Sequence, residues 1–262
     1  MELGINGRTA LVTGAGRGIG LAVAQALAAE GVRVVGASRT ITPELEKVAF
    51  ATVAVDLSTH DGAVTAVRQA VEAVGDLDFL VNNVGGGDAD AVSVGGVLDA
   101  DPAQWRSTFD LNLFSAVWTT TEALPGILRR SGAIVNISSV NSRVPTGSPV
   151  GYAEAKAALT VFGKRLSEEV GPRGVRVNTV SPGLVASPLW TAPGGYGGKV
   201  AAAAGVPQAD LLAALPGRLG VVSGRFSETG EVADLVAFLL SDRAANVHGA
   251  DFVIDGGTLK AA

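Results

Sequence analysis

Tyr152 and Lys156 stand four positions apart in the stretch SVNSRVPTGSPVGYAEAK, residues 139–156. If the chain after Pro149 is helical, both side chains leave the same face of one helix. A phenol with an ordinary pKa of about 10 carries protons poorly at neutral pH. An ammonium about 4 Å away, at an effective dielectric near 20, favours the phenolate by roughly 4 kcal/mol, or about three pKa units. The pairing therefore predicts a tyrosine drawn towards neutrality, where acid-base catalysis is efficient. Ser139 follows the apolar run GAIVNIS. At the carboxyl edge of a parallel sheet its hydroxyl can hold a substrate oxygen against the phenol. A Tyr-x-x-x-Lys pair alone is more often a solvated surface pair, so the elements around it must supply the context.

Those elements alternate. TALV, VRVVGA, FATVAV, DFLVNN, GAIVNIS, VRVNTVSP and GADFVID read as seven short strands, and helical segments lie between them. LAVAQALAAEG is a helix by its Ala and Leu content and its closing Gly31. Residues 60–74 carry apolar positions at Ala63, Val67, Ala70, Val71 and Val74. A long helical segment runs from Pro102 to Arg130, with a bend expected before Pro125, and a capped helix spans Thr229 to Leu240. The fold class is α/β: a single-domain Rossmann-type doubly wound sheet of about seven mainly parallel strands with helices on both faces.

The first strand ends in Thr13-Gly14-Ala15-Gly16-Arg17-Gly18-Ile19-Gly20. Strand, glycine turn and helix form the setting in which backbone N–H groups and a helix N-terminus receive a pyrophosphate. The glycines do not fit G-x-G-x-x-G, because Ile19 stands where the third is required; they read as T-G-x-x-x-G-x-G. The second strand ends at Ser38-Arg39, with no acid between Val32 and Thr40. An acid here would hold the ribose 2′-hydroxyl of NAD, whereas arginine accommodates a 2′-phosphate. Arg39, with Arg17 in the turn, therefore favours NADP(H), with NAD(H) and two merely solvated arginines as the alternative.

Together these motifs resemble the short-chain dehydrogenase/reductase family, including its 3-oxoacyl reductase-like members. The likeness spans essentially the whole chain. It rests on the Ser139, Tyr152 and Lys156 spacing, the glycine turn, Asn82-Asn83-Val84-Gly85 in place of Asn-Asn-Ala-Gly, and Pro182-Gly183-Leu184-Val185-Ala186-Ser187 with serine in place of threonine. The resemblance implies hydride transfer between nicotinamide and a carbon bearing oxygen. Catalysis falls to Asn112, Ser139, Tyr152 and Lys156, with Asn112 holding a water for proton relay. Cofactor contacts fall to Gly14, Gly16, Arg17, Gly18, Ile19, Gly20, Ser38, Arg39, Asp56, Leu57, Asn83, Gly85, Tyr152, Lys156, Pro182, Gly183, Val185 and Ser187. Asp56 and Leu57 are expected against the adenine, and the segment ending at Ser187 over the nicotinamide. The family usually forms tetramers, so a homo-oligomer, tetramer or dimer, is expected.

Two other regions bear on the substrate. Residues 85–96 read as a mobile glycine-rich loop with Asp88 and Asp90, and residues 187–225 as a lid containing Trp190 and Tyr196. The lid has no basic cluster, which favours a small neutral carbonyl or alcohol, although its aromatics could equally pack on one another.

Composition closes off other chemistries. The chain has 262 residues, 47% hydrophobic, with net charge −5 and no cysteine. The acidic balance argues against nucleic acid or an anionic membrane as partner. Without cysteine there is no thiol or iron–sulfur chemistry, and His60 and His248, the only histidines, make a poor basis for a metal site. No secretory leader and no apolar run of the ~18 residues that span a bilayer is expected, which points to a cytoplasmic protein. A serine hydrolase would need a Gly-x-Ser-x-Gly elbow, which Ser139 lacks. A non-catalytic dinucleotide sensor and an NAD-dependent alcohol dehydrogenase remain as rivals.

Overall fold

The computed structural model describes residues 2–86, 97, 100–145 and 147–260. Strands β1 (Thr9–Thr13), β2 (Arg33–Ser38), β3 (Ala51–Ala54), β4 (Phe79–Asn82), β5 (Ala133–Ile137), β6 (Arg176–Pro182) and β7 (Asp251–Ile254) form one sheet in the order β3-β2-β1-β4-β5-β6-β7. Every neighbouring pair is parallel. β1 and β5 are buried along their whole length, which is why they read as continuous apolar runs rather than as alternating ones.

One face of the sheet is covered by α1 (Gly18–Ala29), α2 (Pro43–Val48) and α10 (Thr229–Leu240), whose Val23, Leu27, Leu45 and Val236 join a core with Val12, Val34 and Val135. On the other face lie α3 (His60–Val74), α5 (Ser115–Arg130) and α6 (Tyr152–Val170), which bring Val67, Ile127 and Leu166 onto Leu11, Leu80 and Ile134. The strand order reverses between β1 and β4, the position at which doubly wound sheets open a crevice at their carboxyl edge.

Caps set the helix starts. Thr59 accepts the Gly62 N–H at 3.1 Å and opens α3, and Glu228 and Glu231 form a reciprocal capping box on α10. Two sequence expectations change. The long segment after Pro102 is α4 (Pro102–Phe109), a π-helical turn (Asp110–Phe114) and α5, which runs through Pro125. The irregularity lies around Asn112 rather than before the proline, because the asparagine side chain takes over backbone partners. Val71 is 38% exposed, turned off the buried stripe that Ala66 completes on α3.

Among the described residues no helix is long and apolar enough to cross a membrane, and no group of three or more His, Cys, Asp or Glu side chains could hold a metal ion.

Candidate functional site

Ser139 stands two residues beyond the carboxyl end of β5, where it opens the short 3-10 turn Val140–Ser142. The chain then enters α6 at Gly151, whose φ of +81° suits glycine, and Tyr152 is the first helical residue. Ser138, which the sequence reading did not single out, fastens the two elements. Its hydroxyl donates to the Lys156 carbonyl at 3.0 Å and pairs with the Thr160 hydroxyl at 2.8 Å. A second serine beside the first at a strand end was the available signal.

Lys156 is 2% exposed and donates from Nζ to the Ile137 carbonyl at 2.9 Å. Burial pulls its pKa down to about 8. Its Nζ lies 5.9 Å from the centre of the Tyr152 ring. The expected movement of Tyr152 towards neutrality is not found: burial raises the phenol above its ordinary value, with the Ser139 hydroxyl acting in the opposite sense. The physical reason is that the ammonium is itself desolvated and directed at a backbone carbonyl, so burial outweighs attraction.

Asn112 sits in the π turn, fully buried. Its Nδ2 donates to Gly86 O and Thr108 O, both at 3.0 Å, and its Oδ1 accepts the Gly86 N–H at 2.9 Å. Both amide hydrogens are thus used, leaving one Oδ1 lone pair as the spare capacity. A Cβ on Gly85 would come within 2.6 Å of Lys156 Nζ and 2.9 Å of Asn112 Oδ1. Glycine at 85 is therefore what lets lysine and asparagine converge beneath the loop. The remainder of that loop, with Asp88 and Asp90, lies outside the described residues.

The glycine turn has the matching architecture for a dinucleotide. Gly14 and Gly18 have φ of +65° and +59°. A Cβ on Gly20 would strike Gly14 O at 2.3 Å and Asn83 Nδ2 at 2.4 Å. Asn83 is committed to the turn itself, donating to Thr13 O at 3.0 Å and Gly14 O at 3.2 Å. Helix α1 starts at Gly18 without a side-chain cap or an acid in its first turn, so its N-terminal N–H groups stay open to an anion. Ile19 is half-buried against the core.

The other expected cofactor contacts border this turn. The Cβ position of Gly16 lies 2.7 Å from Ser38 Oγ, which brings the end of β2 beside the turn. Arg17 and Arg39 are exposed. Asp56 is held below the usual carboxylate range by the Ser58 N–H, with burial opposing and the Ser58 hydroxyl and the Arg39 charge assisting. Leu57 is buried in the core. On the far side, β6 ends at Pro182, and Gly183 packs its backbone against Asp255. Val185 bridges to Ser227. Ser187 opens α7 (Pro188–Thr191) without capping it, and its Cβ faces the Gly18 position at 3.5 Å.

After α7 come α8 (Tyr196–Ala203) and α9 (Gln208–Arg218). Trp190 packs edge-on to Tyr196 and Phe226, at 5.1 Å and 6.0 Å between ring centres. Gln208 Nε2 ties α9 to the Trp190 carbonyl at 2.7 Å. Of the two expectations for these aromatics, mutual packing is the one observed.

Residues 8–193 match the model of the short chain dehydrogenase family. Bovine L-xylulose reductase is 34% identical over 266 residues, covering 99% of both chains. Trans-4-hydroxycyclohexanecarboxylate dehydrogenase of Sinomonas cyclohexanicum is 33% identical, covering 95% of this chain and 92% of its own. Among solved structures, L-sorbose reductase of Gluconobacter frateurii complexed with NADPH and L-sorbose superposes with a TM-score of 0.90 at 31% identity over 100% of each chain.

Proposed function

Because the chain belongs to the short-chain dehydrogenase/reductase family, we propose that this oxidoreductase is an NADP(H)-dependent reductase of a small neutral carbonyl, run by Ser139, Tyr152 and Lys156 with Asn112 in support. The observation that carries the cofactor half is the ending of β2. Ser38 ends the strand beside the glycine turn and Arg39 follows it, and the sequence has no acid between Val32 and Thr40 to repel a 2′-phosphate. The uncapped start of α1, Gly14, Gly16, Gly18 and Gly20 would hold the pyrophosphate; Ile19, Asn83 and Gly85 would line its path; Pro182, Gly183, Val185 and Ser187 would border the nicotinamide. When bound, the dinucleotide supplies the hydride.

The chain's own residues then handle the proton. Tyr152 gives its phenolic proton to the substrate oxygen as the carbonyl carbon is reduced, which leaves a tyrosinate and an alcohol. Burial that raises the Tyr152 pKa keeps the phenol protonated at neutral pH, the state a reduction requires. Ser139 donates to the same oxygen and fixes its direction. Lys156, with a pKa near 8, is placed to stabilise the tyrosinate and to pass a proton on. The spare lone pair of Asn112 supports a water between Lys156 and solvent.

Two relatives act on ketoses by name, L-xylulose reductase and L-sorbose reductase, and a ketose is the first substrate to test. The lid is consistent with an uncharged substrate, since its Arg225 is already held by Glu231 at 2.6 Å. A fluorescence titration with NADPH and NADH, followed by NADPH oxidation assays with L-xylulose, L-sorbose and cyclic ketones, tests the reading. NADPH binding at least about tenfold tighter, or about 1.4 kcal/mol, is the expected outcome. A preference for NADH would move the alcohol dehydrogenase reading ahead, and no binding of either would sink both.

The proposal extends to the assembly. The chain acts as one domain in the cytoplasm, with residues 187–225 as its lid and without nucleic acid or membrane partners. It forms a homo-oligomer, dimer or tetramer, through α5 and α6, where Val161 is 68% exposed. Light scattering on the purified protein reads the oligomeric state directly.

A further inference from the structure

The 3-10 turn that follows Ser139 is bonded within itself. Ser139 O accepts the Ser142 N–H at 3.0 Å and the Ser142 hydroxyl at 2.7 Å. Val140 O accepts the N–H groups of Arg143 and Val144 at 2.9 and 3.0 Å. A single 3-10 turn is weak by itself, so the groups that hold its two ends decide where the serine stands. The near end is held by backbone, the Ser138 N–H donating to Val180 O on β6 at 2.8 Å. The far end is held by a side chain. Arg143, which closes the turn, donates from Nη2 to Oδ2 of Asp251 at 2.8 Å, across 108 positions of sequence.

Asp251 is itself aimed. It opens β7 opposite Thr179 of β6, and its Oδ1 accepts the Ser181 hydroxyl at 2.6 Å. Ser181 is completely buried and stands one residue beyond Val180, whose carbonyl anchors Ser138. Side-chain exposure rises from 13% at Asp251 to 46% at Arg143. A carboxylate held on one oxygen by a buried donor presents the other in a set direction, and the pair is shielded on the acid's side, unlike an open surface ion pair. The far side of the crevice leaves from the same two strands: Gly183 follows β6 and donates to Ile254 O of β7 at 3.0 Å.

We propose that Arg143 and Asp251 are positioning residues, an ion pair that bolts the Ser139 turn to β6 and β7 and so sets the serine hydroxyl where it can hold the substrate oxygen. This role rests on the reading of Ser139 in the proposed reaction. Both residues act through the turn and not on the reacting atoms. Without the bolt the turn has only its short-range bonds and the Ser138 anchor, and a reacting group displaced by about 1 Å can lose about 10²-fold in rate.

Arg143 is varied first, because its half-exposed side chain can be removed with little risk to folding. In NADPH-dependent reduction of a ketose, Arg143→Ala should lower kcat about ten- to a hundredfold and leave KM and the NADPH Kd nearly unchanged. Arg143→Lys should recover most of the loss, since the arginine makes one hydrogen bond to Asp251 and not a bidentate pair. Asp251→Ala should also lower kcat, and the double variant should be no slower than Asp251→Ala, because each partner works only through the other. Amide hydrogen exchange reads the bolt without turnover. The Ser142 and Val144 N–H groups should exchange about three- to tenfold faster in Arg143→Ala, the range a partly shielded ion pair supplies, while those of β1 keep their rates. An unchanged kcat, a loss confined to KM or NADPH binding, no recovery by lysine, or a turn that exchanges at the wild-type rate would overturn the proposal. A turn that loosens as expected in a protein that reduces no carbonyl would overturn the proposed reaction and leave the bolt standing.

Discussion

At the amino edge of the sheet Asp78, immediately before β4, is completely buried and surrounded by donors; at the carboxyl edge Lys156 is almost as deeply buried and meets one backbone carbonyl. Burial alone would raise the Asp78 carboxyl, but Arg130, the Thr9 N–H, Arg8 and the Thr9 hydroxyl hold it below its ordinary value. The contacts run from 2.9 to 3.2 Å. Lys156 has no such compensation, and its pKa falls to about 8. The same sheet therefore buries one charge so that it stays charged and another so that it can give its charge up. The first arrangement ties β1, β4 and α5 together. The second costs stability at neutral pH and leaves an ionisable group ready beside Tyr152.

The sharpest way to separate the edges is to remove the proposed proton donor without altering the frame. Tyr152→Phe deletes one hydroxyl from a half-buried ring. Turnover should fall by about a hundred- to ten-thousandfold, the range that general acid catalysis supplies, while the NADPH dissociation constant and the unfolding midpoint move little. Retained turnover would show that another group carries the proton.

Asp78→Asn should do the reverse. It leaves Arg8 and Arg130 without their counterion around a buried amide, at a loss of about 3 kcal/mol in urea unfolding at pH 7. NADPH affinity of the folded fraction should hold. The folded pKa of Asp78 is depressed, so its stabilisation is complete above the unfolded value of about 3.9 and is lost as pH falls through the folded one. Wild type and variant should therefore converge in acid; a gap that stays constant to pH 2 would remove the charge from the explanation.

How much of this contrast was legible in sequence differs between the edges. Alternating strand and helix segments with glycine breaks indicated the fold class, and the helix from Thr229 to Leu240 has the bounds expected of it, with Glu228 and Glu231 forming its capping box. The carboxyl-edge residues announced themselves by type and spacing. Asp78 did not: its partners Arg8, Thr9 and Arg130 lie 70, 69 and 52 positions away, and no local pattern links them. The π turn escaped for a related reason, since Asn112 breaks the helix by bonding to Gly86, 26 positions earlier. The Tyr152 shift was misread because spacing along a helix reports proximity and not desolvation.

Lys156→Met carries the comparison back to stability, with the opposite sign to Asp78→Asn. A lysine whose folded pKa is about 8 binds fewer protons folded than unfolded between that pH and about 10.4, so wild-type stability rises with pH across this window. Below it the buried lysine carries its full penalty. Methionine lacks the charge but leaves the Ile137 carbonyl without its donor, so the expected gain at pH 7 is about 1–3 kcal/mol. That gain should shrink as pH rises through the window, while turnover is lost. A variant less stable than wild type at pH 7 would mean that the hydrogen bond to Ile137 outweighs the desolvation of the ammonium.

The smallest expected effect belongs to a charge at the carboxyl edge that is not buried at all. Arg39 is exposed, and its charge is felt by Asp56. Arg39→Ala should weaken NADPH about tenfold, or about 1.4 kcal/mol, and leave NADH binding and the unfolding midpoint nearly unchanged. Because the arginine meets its partner in water, the difference between wild type and variant should narrow as salt rises from low to physiological strength, where screening acts over about 8 Å. Desolvated Lys156 should show no comparable salt dependence in its pKa. Equal weakening of NADPH and NADH would mean that Arg39 supports the loop after β2 rather than reading a phosphate, and the preference for the phosphorylated dinucleotide would then have to come from Arg17 in the glycine turn, testable by the same pair of titrations on Arg17→Ala.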